Sequence, residues 1–103
     1  MAKHRAAGPL CLILLDYVAP LAEVDAQMAA HVAWLERGFD ASVFLIAGRQ
    51  DPRVGGVIVA RGALAEAEAL AASDPFVTSG VATARVIAFN ASFAAPEIAA
   101  LLA

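Results

Sequence analysis

Six consecutive apolar residues, Leu10 to Leu15, constrain this chain more than any other stretch. The Gly8-Pro9 breaker precedes the run and Asp16 follows it, so it has the length of one strand, far short of the roughly 20 residues a membrane-spanning helix needs. No polar residue alternates within it. It therefore predicts a central strand covered on both faces. Cys11, the one cysteine, falls inside this strand and is expected in the core, with no intramolecular disulfide and no thiolate metal site.

A composition that is 61% hydrophobic, with a mean hydropathy of +0.73, points at first to a membrane protein. Much of that figure is alanine, however, and charged residues break every long apolar stretch, which excludes a spanning helix. Met1 to Arg5 is basic and precedes apolar residues, as in a signal peptide, but Asp16 and Tyr17 cut the apolar region short and no small-residue cleavage site precedes the first element. A cytoplasmic protein is predicted. The net charge is −3 and the seven basic residues are scattered, so no clustered basic face is available for nucleic acid. At 103 residues the chain is expected to be one domain, 1–103, with a core small enough that oligomerisation would add usefully to buried surface.

Residues 1–9 read as a frayed lead-in. After the first strand, Pro20 suits the first turn of a helix that runs to about Arg37, with Gly38 as its C-terminal cap. Leu21, Val24, Met28, Val32, Leu35 and Phe39 recur at steps of three and four, which predicts the buried face of that helix. Ser42 to Ala47 reads as a second strand, Arg49 to Gly56 as a loop, and Val57 to Ala60 as a third strand. Ala63 to Ser73 follows as an alanine-rich helix with Leu64, Ala67, Leu70 and Ala71 inward, ended by Asp74-Pro75. Phe76 to Ser79 makes a short helical turn, Val81 to Asn90 a fourth strand with one buried face, and residues 95–103 a terminal helix, from Pro96 onward, that should dock. The order strand, helix, strand, strand, helix, strand predicts an α+β, ferredoxin-like βαββαβ fold, with a four-stranded antiparallel sheet and both helices on one face. The other face, rich in Leu, Ile, Val and Phe, predicts a homodimer with sheets face to face.

His31 places a polar ring on the apolar side of the first helix, three residues after Met28 and four before Leu35. Such a ring needs a partner, and Asp74, just past the second helix, is the candidate. A carboxylate on one imidazole nitrogen fixes the tautomer and makes the other nitrogen a general base or acid, with no cofactor and no metal required. Asp-Pro is equally the signature of a helix N-cap followed by proline at the first position. Asp16 and Arg49, each at a strand end, are candidates for contacting a small-molecule substrate. His4 and His31 lack metal-ligand spacing, and no nucleotide-binding glycine pattern or nucleophile elbow is present.

His31-Val32-Ala33-Trp34-Leu35, Leu45-Ile46-Ala47-Gly48, Gly55-Gly56-Val57-Ile58-Val59, Glu66-Ala67-Glu68-Ala69-Leu70 and Ser73-Asp74-Pro75-Phe76-Val77 with Gly80 resemble the YciI-like (YCII-related) family, from about Leu10 to Phe89. The resemblance implies a dimeric α+β barrel of ferredoxin-like subunits, a pocket with His31 and Asp74 as its pair, and Asp16 as the strand-end aspartate. It also implies cofactor-free chemistry on small aromatic or lactone-like compounds. The chain departs from the family pattern at Arg49, where proline usually follows Ala-Gly, and at Met28, where arginine is common. Two readings follow: a cofactor-independent lyase or isomerase, or a non-catalytic dimeric ligand-binding or accessory module in which His31 and Asp74 form a structural hydrogen bond.

Overall fold

The computed structural model describes residues 3–102. Its elements are β1 (Pro9–Tyr17), α1 (Leu21–Ala26), α2 (Met28–Asp40), β2 (Phe44–Arg49), β3 (Gly55–Arg61), α3 (Leu64–Ala72), α4 (Pro75–Thr78), β4 (Ala82–Asn90) and α5 (Pro96–Leu102). The strands form one antiparallel sheet in the order β2-β3-β1-β4, which is the ferredoxin-like arrangement. The apolar run thus lies between two neighbours, with Ile13 opposite Ile58 on one side and Val86 on the other. Cys11, Ile13 and Leu15 are fully buried beneath the helices, whereas Leu12 and Leu14, on the opposite face, are half-buried. The uncovered face also carries Ile46, Ile87 and Phe89, all exposed. Burial pushes the Cys11 thiol above its ordinary value, and the thiol turns to the Gly62 carbonyl.

The single helix expected over Pro20–Arg37 is two. At Gln27 the backbone takes φ −99° and ψ 2°, and its N–H bonds back three residues to Val24 rather than four, which tightens the chain between α1 and α2. Gly38 does not cap the helix either. It is buried within α2 because the ring of Phe44 occupies the space a Cβ would need, and the helix continues to Asp40. The turn out of it is made by Ser42, at φ +59°, with Val43 N–H bonded to the Gly38 carbonyl at 2.9 Å. The buried line of α1 and α2 is Val24, His31, Trp34 and Gly38, whereas Leu21, Val32 and Phe39 of the expected stripe are exposed. Close contact at Gly38 rotates the core face of the helix toward Trp34.

Three other expectations change. Leu64 is exposed, so α3 packs through Ala67, Leu70 and Ala71. In β4 only Ala82 is buried, because the alanines at 84 and 88 of this edge strand are too short to fill the space under α3. The part of the lead-in that is described, 3–8, is paired rather than frayed: Arg5 bridges Phe93, and Ala6 N–H donates to the Ser92 carbonyl at 3.0 Å. Met1, Ala2 and Ala103 lie outside the described residues. Among the described residues no helix is long and apolar enough to cross a membrane.

Candidate active site

Asp74 owes its position to two local rules acting together. It is the N-cap of α4 with Pro75 at the first helical position, and its Oδ1 accepts the Phe76 N–H at 3.0 Å. The same oxygen accepts from His31 Nδ1 at 2.8 Å, so the cap and the imidazole partner foreseen separately are one atom. Asp74 is completely buried, and its Oδ2 has no hydrogen-bond partner. An ionised carboxylate can only accept, and in that state Nδ1 is the donor of this bond, while Nε2 makes no hydrogen bond among the described residues.

The ring is clamped. Phe76 stacks on one face with centroids 3.8 Å apart and planes within 5° of parallel, and Trp34 lies 5.7 Å away at 28°. Trp34 is held in turn, donating from Nε1 to Ser73 Oγ at 3.0 Å, beside Asp74 in the chain. Two hydrogen bonds, His31 to Asp74 and Trp34 to Ser73, therefore tie consecutive turns of α2 to consecutive residues after α3. Tyr17 meets Phe76 edge-on at 5.9 Å. Phe76, Trp34 and Ser73 were not singled out from sequence as site residues. Their signals were available: Trp34 is one helical turn past His31, and Phe76 carries the N–H that an Asp74 cap must bind.

A cavity of about 240 Å³ opens in front of His31, between α2 and the sheet. Met28, Val32 and Leu35 wall it from the helix, Leu15, Tyr17 and Ile58 from the sheet, and Arg49 stands at the end of β2. The apolar stripe of α2 is thus real, but part of it faces this cavity rather than the core. His31 and Arg49 are brought to one cavity, and Asp74 sits behind His31. Asp16 is not brought to it. It is exposed and alternates with Leu15 and Tyr17, so it lies on the other face of β1, paired with Gly55 and Thr83. Outside the cavity lining, Arg53 pairs with Asp25, its guanidinium 5.9 Å from the Tyr17 ring centre, and the hydrogen bond to Arg53 holds the Asp25 carboxyl below its ordinary value. Among the described residues no three His, Cys, Asp or Glu side chains converge as a metal site.

The fold and site define the class: a small α+β, ferredoxin-like domain with a buried histidine–carboxylate pair at the back of an apolar cavity. Within it, the chain belongs to the YCII-related domain family, whose sequence profile matches residues 10–90. In architecture it is similar to 5-chloro-2-hydroxyhydroquinone dehydrochlorinase (TftG) from Burkholderia phenoliruptrix AC1100, solved in complex with 2,5-dihydroxybenzoquinone. The two share 21% identity over 76% of this chain and 90% of that one, with a TM-score of 0.63. No curated protein matches the chain in sequence.

Proposed function

We propose that the protein is a small cofactor-independent enzyme of lyase or isomerase type, acting on a small cyclic or aromatic metabolite in the cytoplasm. His31 moves the proton at Nε2, Asp74 orients the ring and balances the imidazolium, and Arg49 holds an anionic oxygen of the substrate. The observation that carries this reading is the division of labour on one ring: Nδ1 is committed to a buried carboxylate, one face is stacked on Phe76, and the remaining nitrogen belongs to a cavity-lining side chain. The cavity supports the substrate class by size, since about 150 Å³ of apolar space holds benzene and about 240 Å³ accommodates a substituted ring. The dehydrochlorinase of similar fold, bound to a dihydroxybenzoquinone, agrees with that choice. The working unit is a homodimer through the uncovered sheet faces, where Leu12, Leu14, Ile87 and Phe89 form an apolar surface. Asp16, on that same face, contacts substrate only if the pairing of subunits carries it to a cavity.

Proton exchange is the direct test. Hydroxylated benzenes and quinones, 2,5-dihydroxybenzoquinone among them, are incubated with the protein in heavy water and ring deuteration is followed by NMR. The proposal expects catalysed exchange on at least one probe, lost by about 10²–10⁴-fold in His31→Asn, and weaker binding of anionic probes to Arg49→Met. The second reading, a non-catalytic ligand-binding or accessory module, draws support from Asp74 being fully buried and also serving as a helix cap. Binding without exchange across the panel would establish it and remove the enzyme.

A further inference from the structure

Beyond Asn90 the chain leaves the body of the domain. Ala91 N–H donates to the Gly8 carbonyl at 2.9 Å and Ala94 N–H to the His4 carbonyl at 2.9 Å, while the Arg5 guanidinium lies 5.1 Å over the Phe93 ring. The two chain ends thus prolong the β1–β4 ladder as a narrow ribbon with α5 at its tip. No residue of α5 is buried, and Phe93, Ile98 and Leu101 are 60%, 39% and 50% exposed. A seven-residue helix with no buried residue is marginal in water, so this end is built to be covered. The arm from 91 onward also lies past the residues, 10–90, shared with the family.

We propose that this arm docks on a second copy of the chain, each subunit's Phe93, Ile98 and Leu101 packing on its partner. Shape and area both argue for it. The radius of gyration is 14.6 Å, against about 13 Å for a compact chain of this length. The accessible surface is 6039 Å², whereas a folded monomer of this mass exposes about 5,500 Å². The excess, roughly 500 Å², is most of the ~800 Å² that each partner contributes to a stable dimer. Continuity selects a second copy over an unrelated protein. Exposed Ile87 and Phe89 lie on the uncovered face at the end of β4, and exposed Phe93 follows a few residues later where the arm begins, so the apolar surface of the sheet and that of the arm are neighbours in the chain. An isologous contact on that face repeats every interaction about its two-fold axis, and it carries each arm onto the other subunit. The arm goes beyond the sheet-face dimer proposed above and is tested separately from it.

The experiment is sedimentation equilibrium over a range of concentrations, on the full chain, on the full chain carrying Ile98→Glu with Leu101→Glu, and on Ile87→Glu. Circular dichroism checks that each remains folded, and the substituted side chains are exposed within their own subunit. The arm variant is expected to raise the dimer dissociation constant by about 100-fold, because two apolar side chains are lost from each of two arms. If the arm variant associates as tightly as the unmodified chain while Ile87→Glu dissociates, the arm proposal is overturned and the sheet-face dimer stands. If the arm variant dissociates and Ile87→Glu does not, the arm stands and the sheet-face reading falls. An unmodified chain that stays monomeric at every concentration overturns both.

Discussion

Asp74 can be divided by substitution. In the structure Oδ1 accepts from both the Phe76 N–H and His31 Nδ1, while Oδ2 is buried without a partner. Asp74→Asn keeps an oxygen that can accept both bonds. The charge-assisted bonds become neutral ones, a loss of about 1 kcal/mol each, and the penalty of a buried, half-satisfied carboxylate is relieved by a similar amount. The net change in stability is therefore expected within about 1 kcal/mol of zero. Asp74→Ala removes the cap, worth about 1 kcal/mol, and strips a charged hydrogen bond worth about 1.5–3 kcal/mol. The relief from charge burial is the same for both variants and cancels, so it should cost about 0.5–2 kcal/mol more than Asn. Urea denaturation at neutral pH, read by Trp34 fluorescence, measures both with the same slope if unfolding stays two-state. Trp34 is the only tryptophan and is buried against this site, so the signal is local as well as global. Equal losses for the two variants would show that the charge or Oδ2 carries the stability. The assignment of both contacts to one oxygen would then be wrong. Deuterium exchange on a responsive probe should fall in Asp74→Asn even where stability is kept.

Two further predictions follow from local geometry. Gly38→Ala sets a helix-propensity gain of about 1 kcal/mol against overpacking on the buried Phe44 ring, which costs about 1–3 kcal/mol. Because a Cβ at this position would fall far inside contact distance of the buried Phe44 ring, the clash wins, and a lowered melting temperature is expected; a rise would mean that the ring yields at little cost. The Asp25 carboxyl is held low by Arg53, so the folded form binds its proton less readily than the unfolded one. Its stabilisation is thus present above the ordinary carboxylate value, about 3.9, and is lost as pH falls through the depressed folded value. Asp25→Asn should accordingly differ most from the parent chain near neutral pH and converge with it in acid denaturation; a gap that does not narrow as the pH falls contradicts the pairing.

Much of the fold was legible because it is written at short range. A six-residue apolar run bounded by breakers specified the central strand, and the order of elements specified the sheet. Asp74-Pro75 announced a cap, and a polar ring on an apolar face announced a need for a partner. What stayed hidden depends on contacts between distant segments. The break at Gln27 has no glycine or proline to mark it. Gly38 carries the ordinary sign of a helix end, and only the Phe44 ring, brought in by β2, makes it an interior residue. The stripe was legible as a row, and Val24, Met28 and Leu35 do meet the core, but Leu21, Val32 and Phe39 are exposed, because periodicity cannot tell a position that meets protein from one that meets a cavity or solvent. Asp16 fell outside the cavity through the alternation of β1, where a single residue decides the face.

That division of α2 has a consequence for how such a protein can change. Val24, His31, Trp34 and Gly38 anchor the helix, and of the three residues that line the space beside it Met28 and Leu35 also pack against the core, while Val32 is 42% exposed. Substitution at Val32 can therefore redraw the outline of the cavity and leave the anchoring line untouched. The shape of the space can change at that side chain on a helix that does not have to move, and there such a change meets least resistance from the fold.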